Sequence, residues 1–138
     1  MGCVFMPGKN KELPHDHGEN NMNTAAIREL LGRTDSFQTL ADIFRQLGDP
    51  TRVRIFWLLC HCEECVLNIA ALLDMSSPAV SHHLRTLRDS GLIVSRRDGK
   101  EVYYRAAESA QSRLLHHMIE RVMEIACPEW SKEAENGH

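Results

Sequence analysis

No apolar run in this 138-residue chain approaches the roughly 18 residues that a membrane-spanning helix requires, so no membrane partner is expected. A secretory apolar core is also missing from the N-terminus, and the protein is therefore expected in the cytoplasm. The parts of an enzyme are lacking too. No glycine-rich phosphate loop, no paired carboxylates and no nucleophile with its base and orienting group can be assembled at credible positions, so neither catalysis nor an organic cofactor is expected. Internal repeats and low-complexity segments are absent. Cysteine occurs in an odd number, as Cys3, Cys60, Cys62, Cys65 and Cys127. In a reducing compartment these thiols argue against a disulfide framework and for metal binding or thiol chemistry.

What is present is the composition of an ordinary globular chain, 43% hydrophobic and 25% charged, long enough for one domain. The net charge of −3 hides an asymmetry. Residues 77–105 hold six Lys/Arg against three Asp/Glu, whereas residues 106–138 hold three against six. Basic charge is thus concentrated on one stretch, and so modest an excess implies few phosphate contacts per protomer, so that tight binding to nucleic acid needs a dimer.

Residues 1–23 read as a flexible arm, 24–127 as the folded domain and 128–138 as a polar, frayed tail. Thr24 is expected to cap a helix that Gly32 breaks. Asp35 or Ser36 starts the next, with Phe37, Leu40, Ala41, Ile43, Phe44 and Leu47 at helical spacing. Gly48-Asp49-Pro50 ends it, and Pro50 takes the first position of a helix over about 50–60. A last helix runs from Glu108 to about Ile125, with Leu114, Leu115, Met118, Ile119 and Val122 inward. This helix and the one around Phe37–Leu47 carry more apolar surface than a small domain can cover, which points to a homodimer interface.

The stretch 66–105 carries the functional pattern. Val66–Asp74 reads as a short buried helix, interrupted by Met75-Ser76-Ser77-Pro78. A second helix starts with Ser77 as cap and Pro78 at its first position, with Val80, Leu84 and Leu87 inward. Leu92–Arg97 and Lys100–Arg105 form a hairpin about Asp98-Gly99, expected as a two-residue turn with positive φ angles. The expected fold is mainly α with a small β-hairpin, a homodimeric winged helix-turn-helix in the order α-α-α-α-β-β-α. Such a unit puts one helix in the major groove of double-stranded DNA and the wing on the backbone. The candidate DNA contacts are Ser76, Ser77, Ser81, His82 and Arg85 on the helix, with Arg97 and Lys100 at the wing tip. Arg96 points to the other strand face, toward a partner within the protein.

Cys60-His61-Cys62-Glu63-Glu64-Cys65 lies just ahead of this unit. Thiolates at Cys60, Cys62 and Cys65 suit soft metals: Zn(II), Cd(II), Pb(II) or three-coordinate arsenite. A free cysteine on a helix also serves as a small buried apolar residue, so Cys60 has two readings.

Gly48-Asp49-Pro50-Thr51-Arg52, Ser81-His82-His83-Leu84 and Leu92-Ile93 through Gly99-Lys100-Glu101-Val102-Tyr103-Tyr104 resemble the ArsR/SmtB family of metal-responsive repressors over roughly residues 36–125. The resemblance implies a homodimeric repressor that leaves its operator DNA when an effector binds. Many such sensors carry Glu-Leu-Cys-Val-Cys-Asp-Leu where this chain has Glu63-Glu64-Cys65-Val66-Leu67-Asn68-Ile69, so Cys65 matches the first cysteine and Leu67 replaces the second. Relatives with this site draw further ligands from the partner's N-terminal arm, which here offers Cys3, His15 and His17. The family's site on the last helix is absent in its usual form, since Ala110, Arg121 and Glu124 occupy ligand positions. A variant of it would use His116 or His117 with Glu120, against a solvated charged stripe as the plainer reading. Other relatives sense oxidants or reactive sulfur through two cysteines, a role that Cys60 and Cys127 would fill here.

Overall fold

An aspartate that accepts a hydrogen bond and a proline that needs none to donate start the helix around which this chain is built. In the computed structural model, which describes residues 14–15 and 23–136, α3 spans Pro50–His61, and the Asp49 carboxylate accepts the Arg52 N–H at 2.9 Å. The Arg52 guanidinium turns back to donate to the Gln46 carbonyl at 2.8 Å and the Arg45 carbonyl at 3.2 Å. It thereby satisfies acceptors that the end of the preceding helix leaves open. This is the local chemistry of Gly48-Asp49-Pro50-Thr51-Arg52.

Ahead of it lie α1 (Thr24–Leu31) and α2 (Thr34–Gln46). Asn23, not Thr24, caps α1: its side-chain oxygen accepts the Ala25 N–H at 3.0 Å, and Thr24 is already helical. Neither helix buries a residue, and Phe37, Leu40 and Phe44 on one face of α2 stay 49%, 44% and 49% exposed. The chain divides into two compact units between Phe44 and Arg45. Apart from residues 14, 15 and 23, the arm lies outside the described residues.

The second unit contains the described apolar core. After α3 come β1 (Glu64–Cys65), α4 (Val66–Leu73), α5 (Ser77–Asp89), β2 (Ile93–Asp98), β3 (Glu101–Ala106), α6 (Ala110–Ala126) and α7 (Glu129–Asn136). Asp74 closes α4 in the left-handed region at φ 53°, the sharp bend between the two helices of the helix-turn-helix. Val80, Leu84 and Leu87 are buried as their spacing predicts, against a core that includes Ile55, Phe56, Leu59, Ile69, Leu92 and Ile93. The fold is a winged helix-turn-helix, mainly helical.

The expected hairpin is formed by β2 and β3, and β1 adds a third strand in the order β1-β3-β2, pairing Glu64 with Tyr104 and Cys65 with Tyr103. Three expectations are corrected. The hairpin turn is Gly99-Lys100, since Asp98 pairs with Glu101, and only Gly99 takes a positive φ, 64°. Glycine at the first turn position alone is the pattern of a type II′ hairpin. On α6 only Leu115 and Ser112 are buried, while Leu114, Met118, Val122 and Ile125 form an exposed stripe. Over Glu129–Asn136 the tail is helical rather than frayed, and the Trp130 ring packs edge-on against Trp57 at 5.3 Å. Among the described residues no helix is long and apolar enough to cross a membrane.

Removing a side chain from this core should cost far more than removing one from its surface. Phe56→Ala, at a fully buried position, is expected to lower unfolding stability by about 3–5 kcal/mol in urea denaturation. Leu67→Ala, where the residue is 65% exposed, should change it by no more than about 0.5 kcal/mol.

Candidate functional site

Burial of one face of α5 decides what the other face offers. Ser76 caps the helix by accepting the Ala79 N–H at 3.3 Å, one residue earlier than expected, so Ser77 and Pro78 are the first two helical residues. Ser77 and Ser81 are half-buried, while Ser76, His82 and Arg85 are exposed. On the wing, Arg97 and Lys100 are exposed at the end of β2 and in the turn. Among the described residues, no ion pair engages Arg85, Arg97 or Lys100. Their charge is open to an external anion, and short hydroxyls at the helix N-terminus leave room for close approach.

Arg96 behaves differently, as its strand face predicts. Its Nε donates to Glu63 Oε1 at 2.8 Å, a second guanidinium nitrogen meets the same oxygen, and the group lies 4.8 Å from the Tyr103 ring centre. Arg105 approaches Glu63 from β3 at 3.9 Å. The hydrogen bond from Arg96, with the charges of both arginines, holds the Glu63 carboxyl below the usual carboxylate range. Glu63 lies between Cys62 and β1, so these bonds tie the cysteine-bearing loop to the wing.

The three candidate thiols occupy different settings. Cys60 is half-buried on the last turn of α3, Cys62 is its exposed C-cap in extended backbone, and Cys65 is buried at the N-cap of α4. The Cys62 thiol points back to the Leu58 carbonyl at 3.5 Å. Cys60 and Cys62 line one cleft of about 300 Å³ with His61, Glu63, Arg105 and His116. Cys65 does not, and the three sulfurs are not gathered into one ligand cluster. Burial, then the nearby Glu120, pushes the Cys60 thiol up to about 11, and burial with Glu64 raises Cys62. Cys127 is exposed at the C-cap of α6, His15 is exposed, and Cys3 and His17 lie outside the described residues.

A helix with an open polar face, followed by a wing with unpaired cations, defines a DNA-binding protein of the winged helix-turn-helix class. Residues 49–95 match the sequence profile described as bacterial regulatory protein, arsR family. The transcriptional repressor SmtB homolog of Synechocystis sp. is 38% identical over 90 residues, which cover 65% of this chain and 68% of that protein. A cadmium resistance transcriptional regulatory protein CadC homolog from Staphylococcus aureus is 34% identical over 88 residues, 63% of this chain and 73% of that protein. Among solved structures, a homodimeric winged helix-turn-helix DNA-binding domain from Mycobacterium bovis, a possible ArsR-family transcriptional regulator, aligns with a TM-score of 0.58 and 26% identity over 79% of this chain and 91% of that one. The chain belongs to the ArsR family of bacterial regulatory proteins, and its fold and relatives are those of transcriptional regulators, not enzymes.

The raised Cys60 thiol has a measurable consequence. Only the thiolate alkylates, so at pH 7.5 the reactive fraction is on the order of one in a few thousand. Iodoacetamide should modify Cys127 first and Cys60 slowly, with the Cys60 rate rising about tenfold per pH unit until near pH 11. Equal labelling of the two at pH 7.5, followed by peptide mass spectrometry, would contradict this.

Proposed function

We propose that residues 24–127 act as a homodimeric DNA-binding repressor in the cytoplasm, which leaves its operator when a soft metal ion binds at Cys60, Cys62 and Cys65. One observation carries the reading: the loop holding these cysteines is joined to the wing by the Glu63–Arg96 and Glu63–Arg105 contacts and by the β1–β3 pairing. A metal that draws Cys65 toward Cys62 and Cys60 either carries β3 with it or breaks the β1–β3 pairing. Similarity to a cadmium resistance regulator supports Cd(II) as effector, and Zn(II), Pb(II) and arsenite suit the same thiolates. Ser76, Ser77, Ser81, His82 and Arg85 would face the major groove, with Arg97 and Lys100 on phosphates. The exposed apolar stripe of α6 and the open face of α2 each offer surface to a second copy, and a solved structure of similar fold is homodimeric. Further ligands from His15 and His17 of the partner's arm belong to the same proposal.

A metal must displace the thiol protons, so affinity rises with pH. The alternative is oxidative pairing of Cys60 with Cys127; the raised Cys60 thiol opposes its attack as a nucleophile and its binding of a metal alike. Fluorescence anisotropy of the reduced, metal-free protein on its own upstream DNA tests both. Arg85→Ala is expected to weaken specific binding by about 1–3 kcal/mol. Cys65→Ser should bind DNA as the parent does and no longer be released by Cd(II). Normal Cd(II) release from Cys65→Ser, or release by an oxidant alone, would overturn the cysteine-metal reading.

A further inference from the structure

Two histidines and a glutamate converge from two helices. His61 ends α3, and His116 and Glu120 sit one turn apart on α6. Their ligand atoms form a small triangle: His61 Nε2 lies 3.2 Å from His116 Nε2, and Glu120 Oε1 lies 3.5 Å from the first and 3.4 Å from the second. A metal ion with Zn–N bonds of about 2.0–2.1 Å and Zn–O of about 2.0–2.2 Å has tetrahedral edges of about 3.3–3.5 Å. The triangle therefore matches one face of a tetrahedron.

Protons alone satisfy this arrangement poorly. One proton between the facing imidazole nitrogens makes a single N–H···N bond and leaves the other edges weak. A cation bonds all three atoms at once. The carboxylate is also oriented as a ligand requires: Trp57 Nε1 donates to Oε1 at 2.8 Å and Trp130 Nε1 to Oε2 at 3.4 Å. Such outer contacts fix a ligating carboxylate in place. The His61 ring is further held against Trp57 at 4.4 Å and meets the His116 ring edge-on at 4.9 Å. Among the described residues this is the one group of three or more His, Cys, Asp or Glu whose ligand atoms are so gathered.

We propose that His61, His116 and Glu120 form a second metal site, distinct in its ligands from Cys60 and Cys62 although it borders the same cleft, that takes one Zn(II) ion per chain with solvent as the fourth ligand. Two imidazoles and a carboxylate favour a borderline ion over the softer ones that suit thiolates. Occupancy pins α3 to α6, and through Trp130 also α7. It would therefore fix the helix that bears the exposed Leu114, Met118, Val122 and Ile125 stripe.

Both tryptophans of the chain donate to Glu120, so their emission reports this site. The test uses the full chain carrying Cys60→Ser/Cys62→Ser, reduced and metal-free, which removes the two thiols of the shared cleft and leaves Cys3, Cys65 and Cys127. Zn(II) is titrated against a chromophoric chelator while tryptophan emission is followed. One equivalent should bind, with an emission change that saturates at that equivalent. In the same background His116→Gln and Glu120→Gln should each weaken Zn(II) about tenfold or more and remove the emission change. Trp57→Phe, which keeps the ring bulk and removes the donor, should weaken Zn(II) about 10–100-fold. No Zn(II) binding in the Cys60→Ser/Cys62→Ser protein, or binding left unchanged by both His116→Gln and Glu120→Gln, would overturn the site. Neither result bears on Cd(II) release of DNA through Cys65, which fails or succeeds separately.

Discussion

Two residues of β-strand and one glutamate hold together the parts of this protein that a repressor must couple. Glu64 and Cys65 pair with Tyr104 and Tyr103, and Glu63 receives Arg96 from β2 and Arg105 from β3. Without that seam, the turn from α3 into α4 would be an independent loop, and the wing would be joined to the rest only at its base, where Ile93 enters the core. With it, the sheet edge, the start of the helix-turn-helix and the cysteine-bearing loop form one body. Tyr103 contributes twice, as the ladder partner of Cys65 and as the ring under Arg96.

The strengths of these contacts suit a switch. The buried side chains of α3 and α5 are each worth a few kcal/mol, and a ligand cannot displace them. Glu63 with its arginines is different: the Arg96 side chain is 51% exposed and that of Arg105 43%, and exposed pairs typically contribute about 0–1 kcal/mol. Allosteric coupling free energies of about 1–3 kcal/mol are comparable with such a seam and small beside the core. On the proposed function, an effector at the loop would reposition the wing while α5 stays seated, and on a two-fold operator a small displacement of each wing would be felt in both half-sites.

Much of this was legible in the sequence, for physical reasons that differ by element. Val80, Leu84 and Leu87 recur at helical spacing, so the buried face of α5 and hence its open face could be read directly. Arg96 was separable from Arg97 because strand residues alternate in direction. β1 was not legible, since two residues carry no periodicity and their pairing depends on β3 almost forty positions away. The turn shifted by one residue because Asp98-Gly99 and Gly99-Lys100 both satisfy a glycine-bearing hairpin, and strand register decides between them. The α6 stripe was misassigned inward because apolar spacing marks a face without saying whether this chain or a second copy covers it. The joining of His61 to His116 and Glu120 was invisible for the simplest reason: these residues are far apart in sequence and meet only when α3 packs beside α6.

The most direct measurement is amide hydrogen exchange on the full reduced chain, with and without Cd(II), followed in peptides covering residues 60–65 and 93–106. If loop and wing are one body, Cd(II) changes protection in both segments together, including the amides of Tyr103 and Tyr104, the residues that pair with β1. A change confined to residues 60–65, with the wing strands unaltered under conditions where DNA is released, would contradict the coupling on which this account rests.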